Sequence, residues 1–297
     1  MLTLTLKSPL SLPIDVDSVL PENVIGCSVA QIGDQLIWCG KYQQPLRDFF
    51  DLSGSATEDS TIQWRGCDDL GLARVNRIGQ NMTTGTMLIR GDAGLHTGWQ
   101  MQGGRIEVYG NTDDYLGSEM VGGTIVVSGD VGNHAGGRFS GEKIGMNRGQ
   151  IFIQGSAGDG VGQGMRRGTI VVGQRAGKLV GWNMLAGTII CLQGCGPHPG
   201  AGMVRGSIVA AAELASAVTI KQNNWLLPSF SRGATNTVPI FKTLKKWLAT
   251  NTIDSAPVFS SEQLALLDQT YQVFHGDRLA GGRGEVFLAT DQESQQP

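Results

Sequence analysis

Seven methionines recur at a nearly fixed interval in the middle of the chain, and this repeat constrains the fold more than any other feature. Successive methionines lie 19, 19, 26, 19, 19 and 19 residues apart, and each is followed by a glycine three positions later. The methionines are Met82, Met101, Met120, Met146, Met165, Met184 and Met203. A fixed period of this kind is typical of solenoid proteins, in which each repeat buries its apolar face only against its neighbours.

Two columns of apolar residues follow the methionines, five and seven positions later. In the repeat that begins at Met120 they are Ile125 and Val127. A spacing of two residues places both side chains on one face of a β-strand. The frequent glycines of this region disfavour a helix, since glycine is a poor helix former. The sequence therefore predicts a mainly β fold, a right-handed parallel β-helix (solenoid) of about seven 19-residue coils, with the methionines in the corner of its core.

The flanks of the repeat have different patterns, which divide the chain into three predicted parts. Short apolar runs, Leu2 to Leu6 and Leu36 to Cys39, indicate an N-terminal β-rich cap over residues 1–78. The glycine-rich β-helix is predicted over residues 79–215. Residues 216–297 are predicted to form a C-terminal extension whose helices pack on the coil.

Two helices are predicted in this extension. The first begins at Pro239 and continues through IFKTLKKWLA, in which one helical face carries Ile240, Phe241, Leu244 and Leu248. The second lies in SSEQLALLDQTY, where a serine supplies the N-terminal cap.

The strand position between the two inward columns is expected to point outward and to be polar, yet five consecutive repeats carry an apolar residue there. We call these five residues the outer stripe: Val126, Phe152, Val171, Ile190 and Val209. An apolar stripe on an outer face needs a cover. Either the C-terminal segment or another protein can supply it, and we expect the helices to cover part of the stripe and a partner to cover the rest. The outer stripe is thus a candidate partner interface.

The third repeat contains seven extra residues, from Gly137 to Lys143, which we call the insertion loop. These residues must loop out if the flanking columns are to stay in register. Such a loop is either a contact point for a partner or a tolerated surface insertion. On the first alternative, Arg138 and Phe139 complete the candidate partner interface.

No catalytic, cofactor-binding or metal-binding residue is predicted on this chain. His96, His134 and His198 each lie fourteen residues after a methionine, but two and three coils separate them, which is too far for one metal ion. The glycine-rich stretches lack the lysine-serine ending of a phosphate loop, and no nucleophile turn occurs. The outward position four residues after each methionine is polar but never acidic, which leaves a β-helix enzyme acting on carbohydrate without an acid-base pair.

Composition limits the class of partner. The 297 residues carry 23 basic and 26 acidic groups, a formal charge of −3 without basic runs, which disfavours nucleic acid or an anionic membrane. The N-terminal MLTLTLKSPL has no signal-peptide pattern, and we expect a cytoplasmic protein. The five cysteines form no C-x-x-C pair, and we expect them to be buried free thiols.

The repeat block, GGTIVVSGDVGNHAG and RRGTIVVGQRAGKLVGWNMLAGTI, resembles the glycine-rich coil of two families. One is the C-terminal domain of the glutamate synthase large subunit; the other is the C subunit of formylmethanofuran dehydrogenase. The flanks, PLRDFFDLSG before the coil and FHGDRLAGGRGEVFL after it, are similar to those of the C-subunit family. That family includes the C subunit of the bacterial formyltransferase/hydrolase complex.

The resemblance implies a scaffold whose active sites lie on other subunits, and hence no cofactor on this chain. We expect a structural subunit that holds hydrolase-like and formyltransferase subunits of one complex, which moves a formyl group to a methanofuran-type carrier and releases it as formate. The first alternative is the C subunit of a molybdenum or tungsten formylmethanofuran dehydrogenase. An independent carbohydrate-acting β-helix enzyme and a spacer of the glutamate synthase type remain further alternatives.

Overall fold

The computed structural model describes residues 1–55, 60–67, 71–211 and 225–289. Most of the regular structure is β, and the repeat contributes seven strands, one for each methionine. These are β8 (Thr86–Arg90), β9 (Arg105–Val108), β10 (Thr124–Val127), β11 (Gln150–Ile153), β12 (Thr169–Val172), β13 (Thr188–Cys191) and β14 (Arg205–Ala210). Each begins four residues after its methionine, or two residues after it in β14, so the sequence period sets the position of every strand.

In the N-terminal part, residues 1–55, 60–67 and 71–78 form seven strands and two short α-helices. They are β1 (Leu2–Leu6), β2 (Ile14–Asp15), α1 (Pro21–Val24), α2 (Val29–Gly33), β3 (Leu36–Cys39), β4 (Tyr42–Pro45), β5 (Phe50–Gly54), β6 (Thr61–Arg65) and β7 (Val75–Asn76). The strands predicted at Leu2 to Leu6 and Leu36 to Cys39 are confirmed. Strands β2, β3, β4 and β7 form a separate four-stranded sheet in the order β4-β3-β2-β7.

In the C-terminal part, residues 225–289 form five strands and two α-helices. They are β15 (Ser231–Thr237), α3 (Pro239–Leu248), β16 (Thr252–Ile253), β17 (Ala256–Pro257), α4 (Ser261–Leu264), β18 (Thr270–Gly276) and β19 (Arg283–Ala289). The helix at Pro239 and the serine cap of the next helix are confirmed, since Ser260 Oγ accepts a hydrogen bond from the Gln263 N–H at 3.1 Å. The second helix is shorter than predicted, because its last residues form a 3-10 turn and then enter β18.

In the part of the chain that the structure describes, one sheet of 13 strands contains the seven repeat strands. Its order is β15-β18-β19-β14-β13-β12-β11-β10-β9-β8-β6-β1-β5, and its neighbours are parallel from β19 to β1. At both ends the last strands are antiparallel. The register between β10 and β11 pairs Thr124 with Gln150, a step of 26 residues. The insertion loop is therefore excluded from the ladder and the columns stay aligned, as the sequence predicts.

A second column of parallel contacts runs beside this sheet. Isolated bridges join equivalent positions of successive repeats at Leu72, Ala93, Thr112, Val131, Ala157, Ala176 and Cys195. Side chains of aspartate and asparagine support the neighbouring turns. Asn111 Oδ1, for example, accepts a hydrogen bond from the Asp130 N–H at 2.8 Å, and Asp130 Oδ1 accepts one from the Ser156 N–H at 2.7 Å. Each such side chain satisfies a backbone donor of the next repeat that no strand pairs.

The core explains why a glycine follows each methionine by three residues. All seven methionine side chains are fully buried, as are the inward columns. At Gly123 the backbone has φ +84°, and a Cβ atom there would lie 2.7 Å from Cε of Met101 in the preceding repeat. Glycine is thus needed both for the left-handed backbone and for the space that the methionine fills.

Candidate functional site

The insertion loop folds back onto the repeats and places Phe139 in a group of rings that we call the aromatic cluster: His96, Trp99, Tyr115, His134 and Phe139. The Phe139 ring stacks on Tyr115 with centroids 4.6 Å apart and an interplanar angle of 11°. It also lies 4.6 Å from the His96 ring and 5.2 Å from the Trp99 ring. These distances are those of favourable aromatic pairs, so the loop has a defined position on the surface.

Glu119 holds the base of the loop. One carboxylate oxygen accepts a hydrogen bond from the Phe139 N–H at 3.1 Å. The other accepts from Trp99 Nε1 at 3.2 Å and from Gln100 Nε2 at 2.9 Å. The Glu119 carboxylate therefore joins the loop to its own repeat and to the repeat before it, which contains Trp99 and Gln100. Hydrogen bonds to a charged acceptor are stronger than those between neutral groups. Sequence reasoning missed this residue, because its role depends on the path of the loop.

Arg138 and Phe139, the two loop residues of the predicted interface, are half-buried. Arg138 Nη1 donates to the Glu142 carbonyl oxygen at 2.8 Å within the loop. Its stem passes next to Gly164, where a Cβ atom would lie 2.8 Å from Arg138 Cδ. Both side chains keep solvent-accessible surface beside the aromatic cluster, and their contact with a partner stays a prediction.

The outer stripe is covered by the chain's own C-terminal part, which corrects the expectation that a partner shares this role. Val126, Phe152, Val171, Ile190 and Val209 each have 0% exposed surface. They form one apolar cluster with residues between 241 and 289, which we call the C-terminal cover. A partner reaches these five side chains only if the cover is displaced. The physical reason is that α3, β18 and β19 together supply enough apolar surface to enclose the stripe.

Aromatic side chains make the central contacts of the cover. The Phe152 ring lies 5.5 Å from Trp247 and 6.2 Å from Phe259. Phe241 and Leu248 of α3 are buried here, but Ile240, predicted on the same face, is 66% exposed. Its position at the start of the helix turns it away from the sheet.

A polar network holds the edge of the cover against the repeats. The Asp254 carboxylate accepts from Arg90 Nη1 at 2.6 Å and lies 2.8 Å from the Tyr109 hydroxyl. That hydroxyl lies 2.7 Å from Glu107 Oε2 as well, so its single proton serves one carboxylate at a time. Arg105 Nη2 donates to the Thr252 carbonyl oxygen at 2.6 Å. The network crosses from the repeat strands to the turn between β16 and β17.

The network perturbs the acidity of its members. The hydrogen bond from Arg90, followed by that from Tyr109, lowers the pKa of Asp254. Burial, followed by the hydrogen bonds with Glu107 and Asp254, raises the pKa of Tyr109. Both shifts favour the protonation states that keep the network intact at neutral pH, an ionised Asp254 and a neutral Tyr109.

The histidines stand in a column but are separated. The Tyr115 ring lies between His96 and His134, at centroid distances of 5.3 and 5.1 Å. Burial, and then the charge of Arg77, lowers the pKa of His96. Within residues 1–55, 60–67, 71–211 and 225–289, no group of three or more His, Cys, Asp or Glu side chains is placed to hold a metal ion.

The cysteines are free thiols that differ in burial. Cys191 and Cys195 are buried, as expected. Cys27 and Cys39 are half-buried, and Cys67 is exposed, contrary to the expectation for all five. The three less buried thiols all lie in the N-terminal part, outside the tightly packed repeats.

No helix in the described part of the chain is both long enough and apolar enough to span a membrane.

The chain matches the model of the GXGXG motif family over residues 73–227, more than half of its length. The match covers the repeats and all the strands from β7 to β14. The molecule is thus a glycine-rich repeat protein of the GXGXG class.

Relatives of known identity narrow this class. The C subunit of the molybdenum-containing formylmethanofuran dehydrogenase 1 of Methanosarcina barkeri is 33% identical over 93 residues, which cover 30% of each chain. The corresponding protein of Methanothermobacter marburgensis is 36% identical over 31% of this chain and 22% of the relative. The C subunit of the tungsten-containing dehydrogenase 2 of Methanococcus maripaludis is 29% identical over 33% of this chain and 34% of the relative. The alignments thus span about a third or less of these curated relatives.

A solved structure matches much more of the chain. It is a chain of the formyltransferase/hydrolase complex FhcABCD from Methylorubrum extorquens, determined in complex with methylofuran. The similarity covers 97% of this chain and 100% of that chain, with a TM-score of 0.82 and 30% sequence identity. The chain belongs to the C-subunit family of formylmethanofuran dehydrogenase.

Proposed function

We propose that this chain is a non-catalytic structural subunit of a multisubunit formyltransferase/hydrolase complex in tetrahydromethanopterin- and methanofuran-linked one-carbon metabolism. The observation that carries the proposal is the similarity to a chain of the FhcABCD complex, which extends over 97% of this chain and 100% of the other. The match includes both flanks as well as the repeats, which supports a shared place in the assembly. In this role the chain holds hydrolase-like and formyltransferase subunits at a fixed separation.

We further infer that the repeats wind into a right-handed parallel β-helix of about seven 19-residue coils. Parallel pairing in steps of 19 residues supports this winding, as Ile170 pairs with Ile189 and Ile189 with Ile208. The column of parallel bridges at a second position of each repeat supports it as well. The proposed division is a cap over residues 1–78, the β-helix over 79–215 and the extension over 216–297.

The proposal places the reactive groups on the partner subunits. The formyl carrier, its hydrolysis to formate and any metal or cofactor belong to those subunits, and this chain carries no cofactor. The complex is proposed to act in the cytoplasm.

A second function is favoured by a different observation. The three curated relatives described above are all C subunits of formylmethanofuran dehydrogenases. Their matches cover about a third of this chain, whereas the FhcABCD chain matches almost everywhere. We therefore rank a molybdenum or tungsten dehydrogenase complex second.

The test is purification of the tagged full-length chain from its native cell, followed by identification of the proteins that accompany it. We expect formyltransferase and hydrolase-like chains in constant ratio, with release of formate from a formylated methanofuran-type carrier by the complex. Stoichiometric molybdenum or tungsten with carbon dioxide reduction would instead assign the dehydrogenase. Recovery as a lone monomer, or cleavage of a glycan by the chain alone, would refute both.

The same purification tests the insertion loop as a contact. In a variant with Arg138→Ala and Phe139→Ala we expect less of at least one partner subunit. Lys143→Ala, an exposed change in the same loop, is the matched control and should leave the ratio unchanged. An unchanged ratio in the double variant would assign the loop to a tolerated insertion.

A further inference from the structure

Exposed arginines form a line along the start of the repeat strands, which we call the basic column: Arg148, Arg167, Arg205 and Arg283. Arg205 and Arg283 are paired in register between β14 and β19. Arg148 and Arg167 stand two residues before the paired residues Gln150 and Thr169, so they occupy the equivalent positions just before β11 and β12. At the equivalent position before β13 the column is interrupted by Ala186. With adjacent strands about 4.8 Å apart, four steps make the column roughly 20 Å long.

The basic column has no neutralising partner in the described residues. None of its four guanidinium groups forms an ion pair there. Glu285, two residues beyond Arg283, pairs in register with His275, and its Oε1 lies 3.9 Å from His275 Nδ1. Like charges side by side on neighbouring strands are unfavourable. In the described residues no ion pair offsets this repulsion between the arginines, although the whole chain has a net charge of −3.

A turn at the end of the column exposes an apolar side chain. Between Gly276 and Gly284, which pair at the ends of β18 and β19, the chain forms a 3-10 turn at Arg278–Ala280. Leu279 in this turn is 91% exposed, the largest exposure among the described large apolar residues. Because Arg283 is the first residue of β19, the turn directly continues the basic column.

The turn is held in place from beneath by Asp277, which is 3% exposed. Its two carboxylate oxygens accept hydrogen bonds from the Leu279 N–H at 3.0 Å and the Gly202 N–H at 3.2 Å. Its carbonyl oxygen accepts from the Gly282 N–H at 2.9 Å. Arg278 Nε donates to the Ser229 carbonyl oxygen at 3.1 Å. A turn so held loses little conformational freedom when it docks, which favours tight binding.

We propose that the basic column and Leu279 together form a docking surface for a partner subunit that presents a carboxylate-rich face with an apolar pocket. Charge complementarity selects this occupant, since the carboxylates would neutralise the column while the pocket buries Leu279. A second copy of this chain does not fit, because a two-fold contact through this surface would set arginines against arginines. This inference rests on the proposed function, because it requires a partner subunit. The docking surface is distinct from the insertion loop.

The test uses the tagged full-length chain and measures partner subunits recovered per chain. We expect Leu279→Ser, and separately Arg205→Glu with Arg283→Glu, to reduce at least one partner tenfold or more, while Leu279→Met retains it. The controls are Ile240→Ser, which changes an exposed apolar residue on α3, and Arg175→Glu, which reverses an exposed arginine outside the column. Both controls should leave recovery unchanged.

The outcomes separate the two proposals. A wild-type chain without partners refutes the proposed function. A wild-type chain with partners, together with full recovery in both test variants, refutes the docking surface alone. A test variant that melts at the wild-type temperature is folded, so its loss of partner subunits is not caused by unfolding. If a test variant melts at a lower temperature, the salt dependence of the wild-type complex tests the docking surface instead. A surface of this charge must bind its partner more weakly as the salt concentration rises, and assembly that is independent of salt would refute it. A dimer of the isolated chain that Leu279→Ser abolishes would overturn the choice of occupant.

Discussion

Adding one methyl group at Gly123 is a direct test of how the repeats pack. In Gly123→Ala the new Cβ would lie 2.7 Å from Met101 Cε and 2.9 Å from the Gly104 carbonyl oxygen, at a backbone φ of +84°. The left-handed backbone costs a non-glycine residue about 1–2 kcal/mol. Overpacking a well-filled core adds about 1–3 kcal/mol. We therefore expect a total loss of about 2–5 kcal/mol in the free energy of unfolding.

Gly26→Ala separates these two contributions. Gly26 has a similar φ of +76°, but nothing lies within 4 Å of its Cβ position, so only the backbone cost applies. The assay is thermal unfolding of both variants and the wild type, in which each kcal/mol lowers the melting temperature by roughly 2–4 °C in a chain of a few hundred residues. Gly123→Ala should melt distinctly below Gly26→Ala. Equal losses would refute the idea that methionine packing dictates the glycine.

Three further changes test the core, the polar network and the aromatic cluster. Ile170→Asp should lower the free energy of unfolding by several kcal/mol, because it buries an unpaired charge. The control Val121→Asp, at a 42% exposed position, should change the melting temperature little. Similar losses in the two variants would show that the inward column is misassigned. The Asp254 pKa lies below its ordinary value of 3.8, so its ion pair with Arg90 stabilises the fold above that pH and is lost as the pH falls through the lowered pKa. Asp254→Asn should therefore melt below wild type at pH 7, with a gap that narrows under acid conditions; a gap independent of pH would contradict the assignment. Phe139→Ala should remove the stacked ring pairs and weaken the near-ultraviolet circular dichroism of the aromatic cluster, and an unchanged spectrum would argue against the stacking.

The sequence predicts the parts of this fold that are periodic. Strand positions, the buried methionines and the exclusion of the insertion loop from the ladder all follow from residue spacing. The step from Thr124 to Gln150 keeps the columns aligned because one misaligned repeat would expose every inward side chain beyond it.

What the sequence does not predict depends on contacts between segments distant in the chain. The outer stripe indicates that a cover is needed, but only the structure identifies the C-terminal part as the whole of it. Helical spacing places Ile240 with Phe241, yet the docking angle of α3 leaves Ile240 exposed. Glu119 and Phe139 likewise meet only because the loop folds back. The asparagines and aspartates that support the turns, such as Asn111, recur with the period of the repeat. Their role could therefore have been predicted from the residue spacing.

The antiparallel strands at the two ends of the long sheet have a consequence for self-association. The edge strand of a parallel sheet has unpaired backbone groups that can pair with another molecule. Identical molecules stacked head to tail would extend the sheet into a filament. At one end the edge strand β5 runs against that direction. At the other end β18 runs against it, and the edge strand β15 carries a register irregularity between Arg232 and Thr235. Growth of such a polymer is thereby discouraged, and a molecule built from repeats keeps a finite length.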